Sequence, residues 1–238
     1  MILVLTDIYR QLTIRLCAVE MPALIEIFEV GLHWLGAIAG LSTLAYAVYN
    51  MLKAQTRPTG QQTGAADQVL RTPYLVIATL FFVLLAYVLW KPLPIQLPWL
   101  LRMVFELVGG VIFFASLILY VWGLRTLGSN FNASSGFGVR LHQEHQLITQ
   151  GPYAYIRHPM YLAVILACWG GLLLYHTWTM LLFAVMMLGL LYRARKEEEA
   201  LRLLFGEEWE VYKRHVPGWI LPMESLVRKV NDNQNKLE

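Results

Sequence analysis

Charge is scarce in this sequence. Asp, Glu, Lys and Arg make up 15% of its 238 residues, against about 25% in a soluble domain, so a water-facing surface of the ordinary kind is excluded. Cysteine is nearly absent as well. Cys17 and Cys168 show no metal-ligand spacing and no neighbouring His or Cys, which leaves them as small apolar residues and gives no reason to expect a metal. No strand pattern occurs, and no Gly-rich turn joins a strand to a helix, so a Rossmann-type cofactor site is not supported. Gly136-Phe137-Gly138 is a lone G-x-G and carries no weight. A net charge of +3 is too small to indicate nucleic acid. The first twenty residues include Asp7, Arg10, Arg15 and Glu20, and so lack the basic-then-apolar order of a cleaved signal peptide. The closing Asn-Lys-Leu-Glu has no prenylation signal, and no internal repeat is evident.

Apolar residues fill the space that charge leaves. At 57% hydrophobic and a mean hydropathy of +0.50, the chain reads as an all-α, polytopic integral membrane protein. A membrane helix needs about 20 mostly apolar residues. Residues 30–52, 73–90 and 99–124 meet that need. Residues 160–192 are too long for one ordinary span, and Tyr175-His176-Thr177 breaks them near the middle. We expect a helical hairpin there, about five transmembrane helices in all, and a cytoplasmic C-terminal amphipathic helix. The short, proline-rich connection 91–98 predicts that the second and third spans fold back on each other as an antiparallel pair. Residues 1–29 are ambiguous between spanning the membrane and lying on it as an interfacial helix. With a non-cytoplasmic N-terminus, fifteen of the nineteen Lys and Arg residues fall on the cytoplasmic side, as positive-inside bias requires. Gly109-Gly110, Gly123 and Gly170-Gly171 are expected to let helices approach closely. The whole chain reads as one membrane domain. Within it, 1–124 holds the N-terminal segment and three spans, 125–222 the polar region with its hairpin, and 223–238 a polar tail.

Two polar constellations interrupt the apolar pattern. The first is Leu147-Ile-Thr-Gln-Gly-Pro-Tyr-Ala-Tyr-Ile-Arg-His-Pro-Met-Tyr161, where Tyr153, Arg157, His158 and Tyr161 stand at the lip of an apolar run. Charged groups are costly there and commonly mark a site, although arginine also snorkels to headgroups as a plain anchor. Pro159 can open a helix, because its missing N–H is not needed at that position. The second begins at Arg193 and runs through Arg195-Lys196-Glu197-Glu198-Glu199, followed by Leu201, Leu204, Phe205, Trp209 and Tyr212 at helical spacing, with Val216-Pro217 as a stop. Both lie on the predicted cytoplasmic face. A pocket holding Arg157, His158, Arg193 and Glu198 would carry both signs of charge, which suits a zwitterion or an oppositely charged pair of ligands.

These blocks resemble the isoprenylcysteine carboxyl methyltransferase family of integral membrane enzymes, which phospholipid N-methyltransferases also resemble. The match starts near Leu127-Gly128 and passes through His145-Gln146-Leu147, Gly151-Pro152-Tyr153 and Arg157-His158-Pro159-Met160-Tyr161. It resumes at Arg193, Glu197-Glu198, Leu201, Phe205-Gly206, Tyr212 and Val216-Pro217. Ala154 stands where the family often has a basic residue, and Ala163 where it usually has Gly.

The resemblance implies an S-adenosylmethionine-dependent methyltransferase. It assigns His145, Gln146, Leu147, Gly151, Tyr153, His158, Pro159, Tyr161, Glu197 and Glu198 to the cofactor pocket, with Glu198 on the cofactor's amino group or ribose hydroxyls. Arg193 is the first candidate to orient an acceptor carboxylate and Arg157 the second; Glu198 completes the catalytic set. The acceptor implied is a lipophilic or prenylated molecule entering from the bilayer, with membrane lipid around it and no obligate protein partner. A bacterial inner membrane or an endoplasmic reticulum membrane would suit, with the site facing the cytoplasm. An amine or thiol acceptor, an NADPH-dependent sterol reductase and a non-catalytic scaffold are the rival readings.

Overall fold

The computed structural model describes residues 2–55, 72–128 and 147–219. Among them regular structure is helical, with one isolated bridge between Pro92 and Thr177. The elements are α1 (Ile2–Gln55), α2 (Thr72–Val88), α3 (Trp99–Leu127), a 3-10 turn (Gly151–Ala154), α4 (Pro159–Tyr175), α5 (Trp178–Met187), α6 (Gly189–Phe205) and α7 (Glu207–His215). Three stretches are long and apolar enough to cross a bilayer: Ile25–Lys53, Trp99–Leu127 and Trp178–Phe205. Pro159–Tyr175 is a shorter apolar helix. The described residues are therefore all-helical, and the protein is an integral membrane protein.

The central packing is between antiparallel α3 and α4, and its glycines explain how close the two helices come. A Cβ on Gly109 would stand 2.7 Å from the Gly170 carbonyl oxygen, and one on Gly170 would stand 2.7 Å from the Phe113 nitrogen. At the other end of the pair, a Cβ on Gly123 would meet Met160 Cγ at 2.8 Å. Lipid is as apolar as leucine, so such close approach is what helix association in a membrane rests on.

The apolar run from 159 breaks at His176-Thr177. His176 takes φ 48, and the Thr177 side chain accepts from Met180 N to start α5. Among the described residues the expected pairing of the second and third spans is not found. The backbone of 89–93 is tied instead to the α4–α5 corner: Leu93 N donates to His176 O at 2.7 Å and Thr179 N to Leu89 O at 3.2 Å. Thr179 Oγ1 donates to Ala86 O at 2.8 Å. The strand-like connection finds partners at that corner, so α2 packs against the start of α5 and scarcely touches α3. Nor is 2–29 a separate element: α1 runs unbroken from Ile2 to Gln55, across Pro22 as well. The C-terminal amphipathic stretch is divided too. Gly206, at φ 52, ends α6 and begins α7, as a glycine free of Cβ strain readily does.

The Trp99 end of the α3–α4 pair carries charge that hydropathy does not single out. Arg102 Nε donates to Glu106 Oε1 at 2.9 Å and Arg102 Nη2 to Glu29 Oε2 at 3.0 Å. His33 Nε2 donates to Leu174 O, and Tyr175 Oη donates to His33 O, each at 2.9 Å. These bonds fasten α1 to α3 and α4.

Candidate functional site

The Leu127 end of the pair gathers both sequence constellations. Gly151 opens the 3-10 turn at φ 61, and a Cβ there would stand 2.6 Å from Thr126 Oγ1 at the end of α3; conformation and contact both call for glycine. The turn buries Pro152 and Tyr153. Tyr212 Oη, from α7, donates to the Tyr153 carbonyl at 2.7 Å. Burial pushes the Tyr212 phenol up to about 12 and the Tyr153 phenol well above its ordinary value, so both stay protonated at neutral pH.

Arg157 and His158 follow, just before Pro159 opens α4. Their backbone N–H groups are satisfied by the chain beyond α7: Arg157 N donates to Pro217 O at 2.9 Å and His158 N to Gly218 O at 3.3 Å. The segment after Val216 thus closes over the 157–158 bend. The His158 ring stacks with Tyr161 (centroids 5.7 Å apart) and with Trp219 (5.3 Å).

Glu198, on α6, joins the two constellations. Its Oε1 accepts from His158 Nε2 at 2.8 Å and lies 3.4 Å from Arg157 Nη2. A carboxylate only accepts, so His158 carries a proton on Nε2. The Arg157 guanidinium lies over the Trp209 ring at 5.9 Å, while Arg157 Nε and Nη1 and Trp209 Nε1 are buried without hydrogen-bond partners among the described residues. Buried donors are paired as a rule, so these three stand out within the site.

Arg193 lies over the Tyr161 ring at 5.6 Å, and the Tyr161 hydroxyl interacts with both Glu197 and Arg193. The two halves of the site therefore meet twice, at Glu198 and at Tyr161. Leu147 packs against the buried cluster of Trp209, Tyr212 and Val216, together with Leu201 and Phe205; its contacts are apolar. Pro159 is buried at the first turn of α4. His145 and Gln146 lie outside the described residues.

Trp209 and Trp219 belong to the site although the pattern alone did not single them out for it. Trp209 read as one of several apolar residues on an amphipathic face, and an unpaired indole N–H becomes visible only in three dimensions. Beside it, a cleft of about 250 Å³ is lined by Glu198 and Trp209 with Arg195, Glu199, Arg202, Glu210 and Lys213. Glu199, exposed as its place on the helix suggests, also borders this cleft. Among the described residues no group of three or more His, Cys, Asp or Glu side chains could hold a metal ion.

Residues 108–203 match the model of the isoprenylcysteine carboxyl methyltransferase (ICMT) family, which bears out the resemblance across both constellations up to Leu203. A protein-S-isoprenylcysteine O-methyltransferase of Schizosaccharomyces pombe is 33% identical over 81 residues, covering 33% of this chain and 34% of that protein. The match thus spans about a third of the curated relative. Among solved structures, the eukaryotic intramembrane Ras methyltransferase ICMT is similar with a TM-score of 0.43 and 20% identity, over 64% of this chain and 53% of that one.

Proposed function

We propose that this protein is a membrane-embedded methyltransferase that transfers a methyl group from S-adenosylmethionine to the carboxylate of an isoprenylcysteine-like acceptor. The observation that carries the reading is the meeting of Arg157, His158 and Glu198, within the segment that matches the methyltransferase family, beside buried donors that lack an acceptor.

The residues present fit such a cofactor. Its amino-acid portion is a zwitterion; the unpaired donors of Arg157 and Trp209 suit a carboxylate, and Glu198 suits an ammonium or a hydroxyl. When bound, the cofactor supplies a methyl group activated by a positively charged sulfur. The acceptor carboxylate is already ionised at neutral pH, since its unperturbed pKa is about 4, so no general base is required of the protein. What remains is to hold the acceptor in line and to exclude the water that solvates it. Arg193, fixed over Tyr161, is placed at the membrane boundary to orient that carboxylate through paired hydrogen bonds, a geometry lysine cannot reproduce. In this reading the lipid part of the acceptor enters sideways from the bilayer. The site faces the cytoplasm, α2 and α4 also enter the membrane, and with the three long apolar stretches this makes five segments that cross or re-enter it.

The purified, full-length protein in detergent is expected to bind S-adenosylmethionine saturably in calorimetry. Glu198→Gln is expected to weaken that affinity about tenfold, the scale of one charge-assisted hydrogen bond, whereas the exposed Glu208→Gln leaves it unchanged. A monodisperse sample without saturable binding contradicts the proposal.

A further inference from the structure

The proposed reaction makes no use of the charge at the Trp99 end of α3. Glu106 is 2% exposed and lies within an apolar span. Arg102 holds its Oε1, but its Oε2 is buried with no hydrogen-bond partner among the described residues. His33 Nε2 stands 3.9 Å from that oxygen and already donates to Leu174 O. Among the described residues His176 Nε2 is also buried without a partner, and its electrostatic neighbours are Glu106, Arg102 and His33. The same residue is held at φ 48, in the left-handed region that non-glycine residues seldom adopt and that recurs at functional sites. Burial pushes the His176 imidazole below the usual histidine range, so it is neutral at pH 7 and able to accept. Two carboxylates, Glu29 and Glu106, share one guanidinium. The cluster therefore lacks a donor, and a positively charged donor suits it best.

The surroundings indicate where such a donor would come from. Trp90, Trp99 and Trp178 are 50%, 67% and 42% exposed, and tryptophans of this kind sit at headgroup level. Lys91 is exposed and adjoins His176, since Trp178 N donates to Lys91 O and Leu93 N to His176 O. The Arg102 and His33 side chains are 50% and 31% exposed, so the flank of the cluster reaches the surface, while Glu106 Oε2 and His176 Nε2 themselves are covered.

We propose that Glu106 and His176 form a binding site for the primary ammonium group of a membrane phospholipid, with Lys91 beside the lipid phosphate. A primary ammonium brings several N–H donors, enough for both unpartnered atoms, whereas a quaternary ammonium brings none. The site lies about 25 Å along α4 from His158, by the rise per residue of a helix. It is a lipid site apart from the one that would bind the methyl acceptor.

The test is competitive lipid retention by the full-length protein in native mass spectrometry, using phosphatidylethanolamine and phosphatidylcholine with identical acyl chains. Phosphatidylethanolamine is expected to be retained about tenfold more tightly, and Glu106→Gln and His176→Phe are each expected to abolish the preference. Equal retention of the two lipids by the wild-type protein overturns the proposal and leaves water alone in the cluster, a result that needs no variant to fold. A preference surviving in either folded variant overturns the assignment to these residues. Displacement of the lipid by free ethanolamine at equal concentration overturns the claim that a phospholipid is the ligand.

Discussion

Both ends of the α3–α4 pair bury charge, and they leave opposite groups unsatisfied. At the Arg157 end the surplus is donors: Arg157 Nε and Nη1 and Trp209 Nε1 have no partner among the described residues. At the Glu106 end the surplus includes a carboxylate oxygen. The first end is assembled from segments far apart in the chain and lined by stacked rings, with a cleft beside it. The second joins one pair of helix neighbours, Arg102 and Glu106, to Glu29 and His33 of α1, and so fastens α1 to the rest. The difference teaches that buried charge alone does not identify a catalytic end; the sign of what is left unpaired says what each end would accept.

The sharpest way to break this comparison is to remove one arginine from each end. Under the proposed methyl transfer, Arg157→Ala is expected to lower kcat/KM by about 100-fold, the scale of two lost charge-assisted hydrogen bonds. Arg102→Ala is expected to leave turnover of the folded protein in place while lowering its thermal midpoint. Similar kinetic losses in both variants would erase the functional distinction between the ends. A smaller effect is expected at the membrane boundary: Arg193→Lys should cost about tenfold in turnover with little change in thermal unfolding, because charge is kept while the planar fork and its place over Tyr161 are lost. Unchanged kinetics would remove Arg193 from the site. The smallest effect is structural. Tyr212→Phe leaves the buried Tyr153 carbonyl without its donor and is expected to cost about 1–2 kcal/mol of stability, read from unfolding in detergent. Because burial holds the Tyr212 phenol near 12, the wild-type bond should contribute equally from pH 6 to 9. A contribution that fades across that range would mean the hydroxyl is not the donor.

Much of the site was legible because its residues are unusual where they stand. Arg157 and His158 at the lip of an apolar run, and Arg193 at the end of another, drew attention by the cost of placing charge there, while Glu198 entered through the mixed-charge pocket and the family resemblance. The structure joins Arg157 and His158 through Glu198 Oε1. The close-packing glycines and the break at His176 were legible for similar reasons, as small or polar residues inside apolar helices. What periodicity does not carry is pairing across the chain. Nothing in Pro217-Gly218 announces that its carbonyls cap the backbone at 157 and 158. Loop length suggested that 91–98 would fold α2 onto α3, yet its backbone groups bond to the α4–α5 corner instead. Gly206 read as one residue of a family block, and only its φ of 52 shows that the amphipathic stretch turns there. The Glu29, His33 and Arg102 contacts stayed hidden because their partners lie on separate helices or within a span whose hydropathy they barely disturb.

The proposed activity is tested most directly by methyl transfer itself. Membranes carrying the protein would receive S-adenosylmethionine labelled in its methyl group, together with an N-acylated S-prenylcysteine bearing a free carboxylate or, in parallel, the corresponding amide. Base-labile label on the acid and none on the amide is the result this account predicts. Label that resists base, equal labelling of the amide, or no label despite saturable cofactor binding would contradict it.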